Sequence, residues 1–331
     1  MTQAAGPKSA FVTGATGFVG LNLVEALIAA GWQVTAMHRP SSKVGPLRAF
    51  PVQAVVAGLG DATAVEHAMP SGVDAVFHVA GDLNMWSRRN AQQTATNVGG
   101  TENVVEAALR KGAKRFVLTS TISAYGTPSG PVSERTPSTA ATSWINYERS
   151  KWQSEEVVRR AHERGLAAVI INPCAVLGPR DLHGWAQLFF MIRDGKVKGL
   201  PPGSATFNHV TEVARAHIAA AERGRTGENY ILPGAEATFA DLMRMMAARM
   251  GVPLNAKVAP PVMLKLMGHV AAGVAALTGK PPDISPEMAA MLCMQLHCET
   301  DKAERELGYR AVPVQKGVDD SYAWLVAEGL L

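Results

Sequence analysis

The stretch Gly14-Ala15-Thr16-Gly17-Phe18-Val19-Gly20 decides the fold, because its three glycines join an apolar run to an apolar-periodic segment. The run at 9–13 predicts a short buried strand, and the segment at 18–30 predicts a helix that Gly31 ends. This context is typical of a pyrophosphate-binding turn, in which the glycines permit a tight turn, close approach of the phosphate and close helix–strand packing. The alternative is that the glycines only shape a turn. We predict a dinucleotide seat formed by Gly14, Thr16, Gly17, Phe18, Val19 and Gly20.

Outward from this turn, short apolar runs alternate with helical patterns. Further strands are predicted at 33–37, 52–57, 75–79, 114–119 and 167–172, and long helices at 91–110 and 144–164. Such alternation implies right-handed βαβ units and a parallel, doubly wound sheet. The predicted fold class is therefore α/β, with a Rossmann-type, dinucleotide-binding domain at 1–180.

The alternation weakens after about residue 180, where helical patterns dominate. We predict a smaller, mainly helical substrate-binding lobe at 181–331, and we expect the run near 229–232 to return to the first sheet. The predicted helices cover 182–194, 211–223, 238–250, 260–278, 285–297 and 315–328.

Composition excludes several classes of protein. The 331 residues are 47% hydrophobic and 18% charged, enough for a sizeable core, and the net charge is +4. Basic residues are scattered, which argues against nucleic-acid binding. The three cysteines form neither CxxC spacing nor a disulfide framework, and residues 1–9 show no signal-peptide pattern. These features favour a reducing, cytoplasmic location.

The longest apolar stretch, Val262 to Leu277, is interrupted by Lys265, Gly268, His269 and Gly273. It is shorter than the ~20 residues that cross a bilayer. We expect a buried or interface helix here in preference to one that contacts a membrane, and no integral membrane segment. The nine histidines lack paired-ligand spacing, and His78 ends a buried strand, so no metal site is predicted.

The end of the second predicted strand indicates which dinucleotide binds. NAD-binding proteins usually carry an acidic residue there for the ribose 2′-hydroxyl, whereas this chain has His38-Arg39 and no Asp or Glu between Glu25 and Asp61. A guanidinium can bind the 2′-phosphate of NADP through bidentate hydrogen bonds. The pattern favours NADP, unless Arg39 is merely a solvated loop residue. Asp61 could contact adenine, cap the helix that begins near Ala62, or do both.

Tyr147 and Lys151 lie four residues apart, so on the predicted helix they share one face. A free tyrosine has a pKa near ~10, and a useful base at neutral pH needs that value lowered by about 3 units. A nearby ammonium and the positive ring of an oxidised nicotinamide would lower it. The competing interpretation is an exposed helix pair.

Several ordered motifs together make the chain resemble the extended short-chain dehydrogenase/reductase family over nearly its full length. These motifs are the three glycines, 78–81 (HVAG), 97–101 (NVGGT), 119–121 (TST), the Tyr147/Lys151 pair, 172–173 (NP), 209–214 (HVTEVA), and 301–303 (DKA) through 307–309 (LGY).

The resemblance assigns roles to individual positions. It implies that Tyr147 is the acid/base, that Lys151 binds the nicotinamide ribose and lowers the pKa of the phenol, and that Thr121 binds the reacting oxygen. Asn97 resembles an asparagine that kinks the long helix and relays protons. The remaining implied cofactor contacts are Val79, Ala80, Gly81, Thr119, Pro173 and Val176. For Asn97 and Pro173 a structural role is an equal alternative.

The residues directly after the catalytic threonine indicate the branch of the family. Dehydratases of this family have Asp-Glu there, whereas this chain has Ile122-Ser123, and Ala205 stands where nucleotide-sugar enzymes carry an arginine. Apolar and aromatic segments after the fourth and sixth strands favour a hydrophobic small-molecule substrate, as in the dihydroflavonol 4-reductase and 3β-hydroxysteroid dehydrogenase-like branch. The expected substrate contacts are Asn84, Trp86, Ser123, His183, Trp185, Phe189 and His209.

Three functions compete. The first is an NADPH-dependent reduction of a carbonyl, and the second is nucleotide-sugar epimerisation with tightly bound NAD. The third is a sensor that binds NADP without chemistry. The resemblance also implies a homodimer through the helices at 91–110 and 144–164.

Overall fold

The computed structural model describes residues 6–331, and its strands number ten. They are β1 (Ser9–Thr13), β2 (Gln33–His38), β3 (Gln53–Val56), β4 (Ala75–His78), β5 (Phe116–Thr119), β6 (Ala168–Pro173), β7 (Ala175–Leu177), β8 (Ser204–His209), β9 (Asn229–Leu232) and β10 (Ala235–Thr238).

Twelve α-helices accompany these strands in the described chain. They are α1 (Phe18–Ala29), α2 (Ala62–Ala68), α3 (Asn90–Thr94), α4 (Gly100–Arg110), α5 (Asn146–Glu163), α6 (Gln187–Arg193), α7 (Val210–Arg223), α8 (Phe239–Met250), α9 (Pro261–Thr278), α10 (Pro286–Met291), α11 (Lys302–Leu307) and α12 (Val314–Ala327).

The main sheet has seven parallel strands in the order β3-β2-β1-β4-β5-β6-β9. The order reverses between β1 and β4, and ligands of such sheets bind in the crevice beyond the carboxyl ends at that point. The predicted α/β fold with a doubly wound parallel sheet is confirmed. β9 pairs with β6, so a strand from the second half of the chain completes this sheet.

Both faces of the sheet are covered by apolar packing. On one face α1, α7 and α11 pack through Leu27, Val213 and Leu307. On the other face α2, α4 and α5 pack through residues such as Val104 and Val158. Burial on both faces explains why these strands are almost continuously apolar instead of alternating. The rigid sheet fixes where the loops at its carboxyl edge begin.

The second lobe is mainly helical, as expected, and it also contains a small sheet, ordered β10-β8-β7. Its strands are short, and β10 (Ala-Glu-Ala-Thr) has no strong apolar pattern, so pairing with β8 makes it a strand. The helix expected at 182–194 begins only at Gln187, because the Asp181 carboxylate accepts the backbone N–H groups of His183, Gly184 and Ala186.

Helix α9 is largely exposed, so of the two expectations for Val262 to Leu277 the buried helix is wrong, and the interface helix stays a prediction. Only Leu264, Gly268 and Ala275 are buried in it. Within residues 6–331, α9 is the one helix that is long and apolar enough to cross a membrane, and 17% of it is buried. Burial in a hydrophobic core therefore does not explain why α9 is so apolar.

Candidate active site

The glycine turn between β1 and α1 is shaped by two close approaches of backbone. Gly14 has φ +68°, and a Cβ there would lie 2.7 Å from the backbone nitrogen of Ala80, which follows β4. A Cβ on Gly20 would overlap the carbonyl oxygen of Gly14. Because neither position has room for a side chain, the amino end of α1 lies directly beside the crevice between β1 and β4.

Gly17 differs from these two, because it is exposed and caps the amino end of α1 with φ −85°. A Cβ there would meet only the Gly14 carbonyl oxygen, 3.3 Å away. The first turn of α1 has no acidic residue and no side-chain cap, and first-turn N–H groups lack helical partners. An open cradle of N–H groups at a helix N-terminus fits the pyrophosphate of a dinucleotide.

The residues expected to contact the adenosine ribose, at the end of β2, are basic and exposed to solvent. His38 ends β2 and Arg39 follows it with an exposed side chain. The Arg39 guanidinium has no hydrogen-bond or ion-pair partner among residues 6–331, while its backbone N–H donates to Ser42 Oγ at 3.2 Å. Asp61 caps α2 by accepting the N–H of Ala64 at 2.9 Å, which is one of the two roles expected of it.

Tyr147 and Lys151 lie in the first two turns of α5, and Thr121 follows β5 as the cap of a short 3₁₀ turn. All three side chains are less than 10% exposed. Burial raises the pKa of Tyr147 to about 12, and a hydrogen bond with the Thr121 side chain opposes this rise. The structure therefore brings the phenol and the threonine hydroxyl together.

Lys151 is also shaped by burial. Loss of solvation lowers its pKa to about 8, while the buried carboxylate of Glu155, one turn further along α5, raises it. Its Nζ donates to the carbonyl oxygen of Thr119 at 2.8 Å. The sequence predicts a lowered pKa for Tyr147, but the protein alone gives the opposite direction, because desolvation of the phenol outweighs the opposing effect of the Thr121 side chain.

The loop after β4 is held by two buried amides one helical turn apart. Asn97 lies in a π-helical segment at Ala95–Gly99, and its side chain binds both backbone groups of Asp82 and donates to Ser150 Oγ at 3.0 Å. Gln93, fully buried, donates to the carbonyl oxygens of Asp82 and Asn84. Asn97 thus clamps the loop to α5 beside Lys151. Gln93 is not among the residues predicted from the sequence, although its i, i+4 spacing to Asn97 was the available signal.

The expected substrate residues Asn84 and Trp86 both lie in that loop. The Asn84 amide donates to the Trp86 carbonyl oxygen at 2.8 Å, so it shapes the loop. The half-buried Trp86 ring has the guanidinium carbons of Arg88 and Arg89 5.7 and 6.0 Å from its centroid. Ser123 is buried two residues after Thr121, to whose Oγ1 its N–H donates.

Three residues expected to contact substrate from the second lobe have partners within the lobe. Phe189 is fully buried in the core of the lobe, and Trp185 stacks on Phe239 with ring centroids 5.3 Å apart. His209 uses both ring nitrogens, one for the N–H of Thr211 and one for Asp320. These aromatic side chains pack the lobe because its small sheet needs an apolar cover. His183 is exposed next to the Asp181 turn.

The expected residues near the nicotinamide end lie along β6 and β7. Pro173 is buried at the end of β6, and Val176 lies in β7 beside Asn208 of β8. A buried network joins this region to α5, because Glu155 accepts hydrogen bonds from Ser120 at 2.5 Å and from Asn172 at 2.6 Å. Thr119, Val79 and Gly81 line the carboxyl ends of β5 and β4.

Comparisons with known proteins agree with this arrangement. The family model described as "NAD dependent epimerase/dehydratase family" matches residues 10–232. A Synechocystis protein named "Putative dihydroflavonol 4-reductase" is 29% identical over 329 residues, covering 96% of this chain and 95% of its own. The resemblance to this family and to its reductase branch is confirmed.

Two solved structures are also similar. The crystal structure of gox2253 has a TM-score of 0.84 and 32% identity, covering 98% of this chain and 99% of its own. A nucleoside-diphosphate-sugar epimerase from Pseudomonas aeruginosa has a TM-score of 0.80 and 25% identity, with the same coverage. Relatives named for reduction and for epimerisation therefore share one scaffold.

Proposed function

The chain belongs to the NAD dependent epimerase/dehydratase family, and on that basis we propose an NADP(H)-dependent oxidoreductase that interconverts a carbonyl and a secondary alcohol. Its substrate is small and largely apolar or aromatic. The observation that carries the proposal is the buried cluster of Tyr147 and Thr121 beside Lys151. Buried, perturbed ionisable groups that cluster at the carboxyl edge of such a sheet usually serve catalysis.

In the proposed reaction, a bound NADPH supplies the hydride. Tyr147 donates its proton to the carbonyl oxygen as negative charge develops there, and the Thr121 hydroxyl steadies the same oxygen. The raised pKa of Tyr147 keeps the phenol protonated at neutral pH, as a proton donor requires. Asn97 positions the adjoining loop against α5 through Asp82 and Ser150. General acid catalysis of this kind contributes roughly 10²–10⁴-fold.

The proposed substrate class is supported by the loop after β4. Trp86 is half-buried and Leu83 is 70% exposed there, so apolar surface faces the region beyond the carboxyl ends of the strands. The relative named as a dihydroflavonol 4-reductase supports the same class. Nucleotide-sugar epimerisation is the second candidate, favoured by the similarity to the Pseudomonas epimerase. Against it, Ala205 stands where an arginine is expected and is buried within β8.

The catalytic assignment is tested with Tyr147→Phe. We expect its turnover of aromatic ketones with NADPH to fall at least about 10²-fold, while NADPH binding, measured by fluorescence titration, stays within about twofold. Thr121→Ser, which keeps the hydroxyl, is the matched control and retains activity. Loss of NADPH binding in Tyr147→Phe would contradict the assigned role. Stoichiometric NAD in the purified protein, with stabilisation by UDP-sugars, would favour epimerisation.

The choice of NADP over NAD is tested with Arg39→Gln. Because a charge-assisted hydrogen bond contributes about 1.5–3 kcal/mol, we expect the Kd for NADPH to rise about 10–100-fold while that for NADH changes little. Lys8→Gln, which removes an exposed cation at the opposite end of β1 from the cradle, is the control. Equal weakening of both dinucleotides by Arg39→Gln would show that the guanidinium does not read the 2′-phosphate.

A further inference from the structure

Helix α9 presents an apolar face that no other described residue covers. Val262, Leu266, Val270, Val274 and Leu277 are 78, 61, 60, 55 and 90% exposed. Exposed apolar residues are common singly, but a contiguous row over about four turns marks an interaction surface.

The pattern around α9 separates this face from the side that packs on the protein. Leu264, Gly268 and Ala275 form the buried stripe, and Gly268 lets α9 approach α10, because a Cβ there would lie 3.1 Å from Ala289 Cβ. At about 100° per residue, the exposed apolar residues cover roughly 140° on the opposite side. Lys265 and His269 lie between the two, on one flank. The helix thus has a packed stripe, a basic flank and an open apolar face.

Both ends of α9 are tied to the protein. Just before its start, the Ala259 N–H donates to the Leu200 carbonyl oxygen at 2.9 Å. Near its end, the Arg88 guanidinium donates to the Ala276 carbonyl oxygen at 2.8 Å. The helix therefore lies lengthwise on the lobe and cannot cross a bilayer without leaving α10. Its open face can only contact a surface that lies parallel to it.

The charges along the chain segment that contains α9 are of one sign. The 41 residues between Asp241 and Asp283 include no Asp or Glu. Lys257, Lys265 and Lys280 are exposed in this interval, and none forms an ion pair with another described residue. Arg88 and Arg89 add two cations at the carboxyl end of α9. A helix whose apolar face is rimmed by basic residues is suited to lie in the interface of an anionic membrane.

We propose that the protein docks peripherally on the surface of an anionic lipid bilayer through the exposed face of α9, with Lys265, Lys280 and Arg89 contacting lipid phosphates. The apolar side chains enter the boundary between headgroups and acyl chains. A second copy of the chain could cover an apolar face equally well, but the exposed lysines of 242–282, an interval without acidic residues, would set like charges against each other in a symmetric pair. The proposal stands on α9 alone and does not depend on the proposed reaction.

The test is flotation of the full-length protein with vesicles of phosphatidylcholine alone or with about 30% phosphatidylglycerol. Leu266→Ser/Val270→Ser/Leu277→Ser removes apolar contact, and Lys265→Gln/Lys280→Gln removes charge. The matched control, Val56→Ser/Val326→Ser, changes exposed apolar residues elsewhere. We expect the wild type and the control to float with anionic vesicles. The apolar triple variant should bind more than about 100-fold more weakly, and the charge variant about 30-fold more weakly, since each cation near the surface contributes about fivefold.

Two outcomes would overturn the proposal. The first is absence of binding to anionic vesicles by a folded wild type. The second is a dimer, measured by analytical ultracentrifugation, that the apolar triple variant dissociates, which would assign the face to a second copy. Circular dichroism and thermal unfolding of each variant keep loss of folding distinct from loss of binding.

Discussion

The two glycines Gly17 and Gly20, three residues apart, should respond differently to the same substitution. In Gly17→Ala the new methyl group would meet only the Gly14 carbonyl oxygen, at 3.3 Å, and it would be added at the exposed N-cap of α1, next to the first-turn N–H groups. In Gly20→Ala it would overlap that same carbonyl oxygen, so the turn or the helix must shift. The first change should block ligand binding and the second should destabilise the fold.

The magnitudes come from these contacts. Overpacking of a tight site costs about 1–3 kcal/mol, so Gly20→Ala should lower the Tm by roughly 1–4 °C. For Gly17→Ala the backbone is relaxed at φ −85°, and alanine at an N-cap costs under about 1 kcal/mol. Loss of charge-assisted N–H contacts to the pyrophosphate should weaken NADPH about 10–100-fold.

Thermal unfolding with and without NADPH measures both effects. At about 100 times its Kd, NADPH should stabilise the wild type by about 2.7 kcal/mol, and a 100-fold weaker complex retains only about 0.4 kcal/mol. Gly273→Ala, where a Cβ meets open space in α9, should leave the NADPH effect unchanged. A Gly17→Ala variant that NADPH stabilises as much as the wild type would refute the assignment of this glycine turn as the pyrophosphate-binding site. An unchanged Tm in Gly20→Ala would refute the close packing of α1.

Two further predictions concern Asn97 and the buried histidines. Asn97→Ala leaves both backbone groups of Asp82 without their partner, so we expect a loss of about 1–3 kcal/mol in urea unfolding and a fall in kcat larger than any change in the Kd for NADPH. Asn103→Ala, which removes one amide contact from α4, is its control, and equal kcat values in both variants would contradict a positioning role. Burial lowers the pKa of His217 to about 4 and that of His78 to about 3, below their value near 6.5 in the unfolded chain. Between these pH values the unfolded state therefore binds more protons than the folded state. The free energy of unfolding should fall as the pH drops from about 6.5 toward about 4, by about 1.4 kcal/mol per pH unit for each histidine. In urea unfolding, His217→Gln should reduce this slope by the contribution of one proton, and an unaltered slope would show that His217 titrates normally.

The parallel sheet can be predicted well from the sequence, because the evidence for it is local. The glycine turn needs only residues 13–20, and each buried strand is an apolar run that needs no partner to be recognised. The family resemblance predicts a kink at Asn97 in the long helix at 91–110, and a π-helical segment lies there. Tyr147 and Lys151 share a helix, so their spacing alone predicts a common face.

Contacts between distant segments could not be predicted in the same way. The sulfur atoms of Cys174 and Cys298 lie 3.5 Å apart although they are 124 positions apart in the chain, and nothing in their spacing indicates this. β10 becomes a strand only by pairing with β8. Phe189 and Trp185 have the composition of a substrate pocket but fill the core of the second lobe. Aromatic side chains serve both purposes, and only the packing separates them.

Burial has the same effect on both ionisable groups of the site, and this favours one direction of the proposed reaction. It raises the pKa of Tyr147 to about 12 and lowers that of Lys151 to about 8, so each group is pushed toward its neutral form. A protonated phenol is ready to donate, as reduction of a carbonyl requires, whereas oxidation of an alcohol requires the phenolate. Because the phenol of Tyr147 stays protonated up to a pKa of about 12, the reduction rate should not rise with pH, whereas the oxidation rate should keep rising above about pH 8 as the phenolate fraction grows. Identical pH profiles in the two directions would show that burial does not control the protonation of Tyr147.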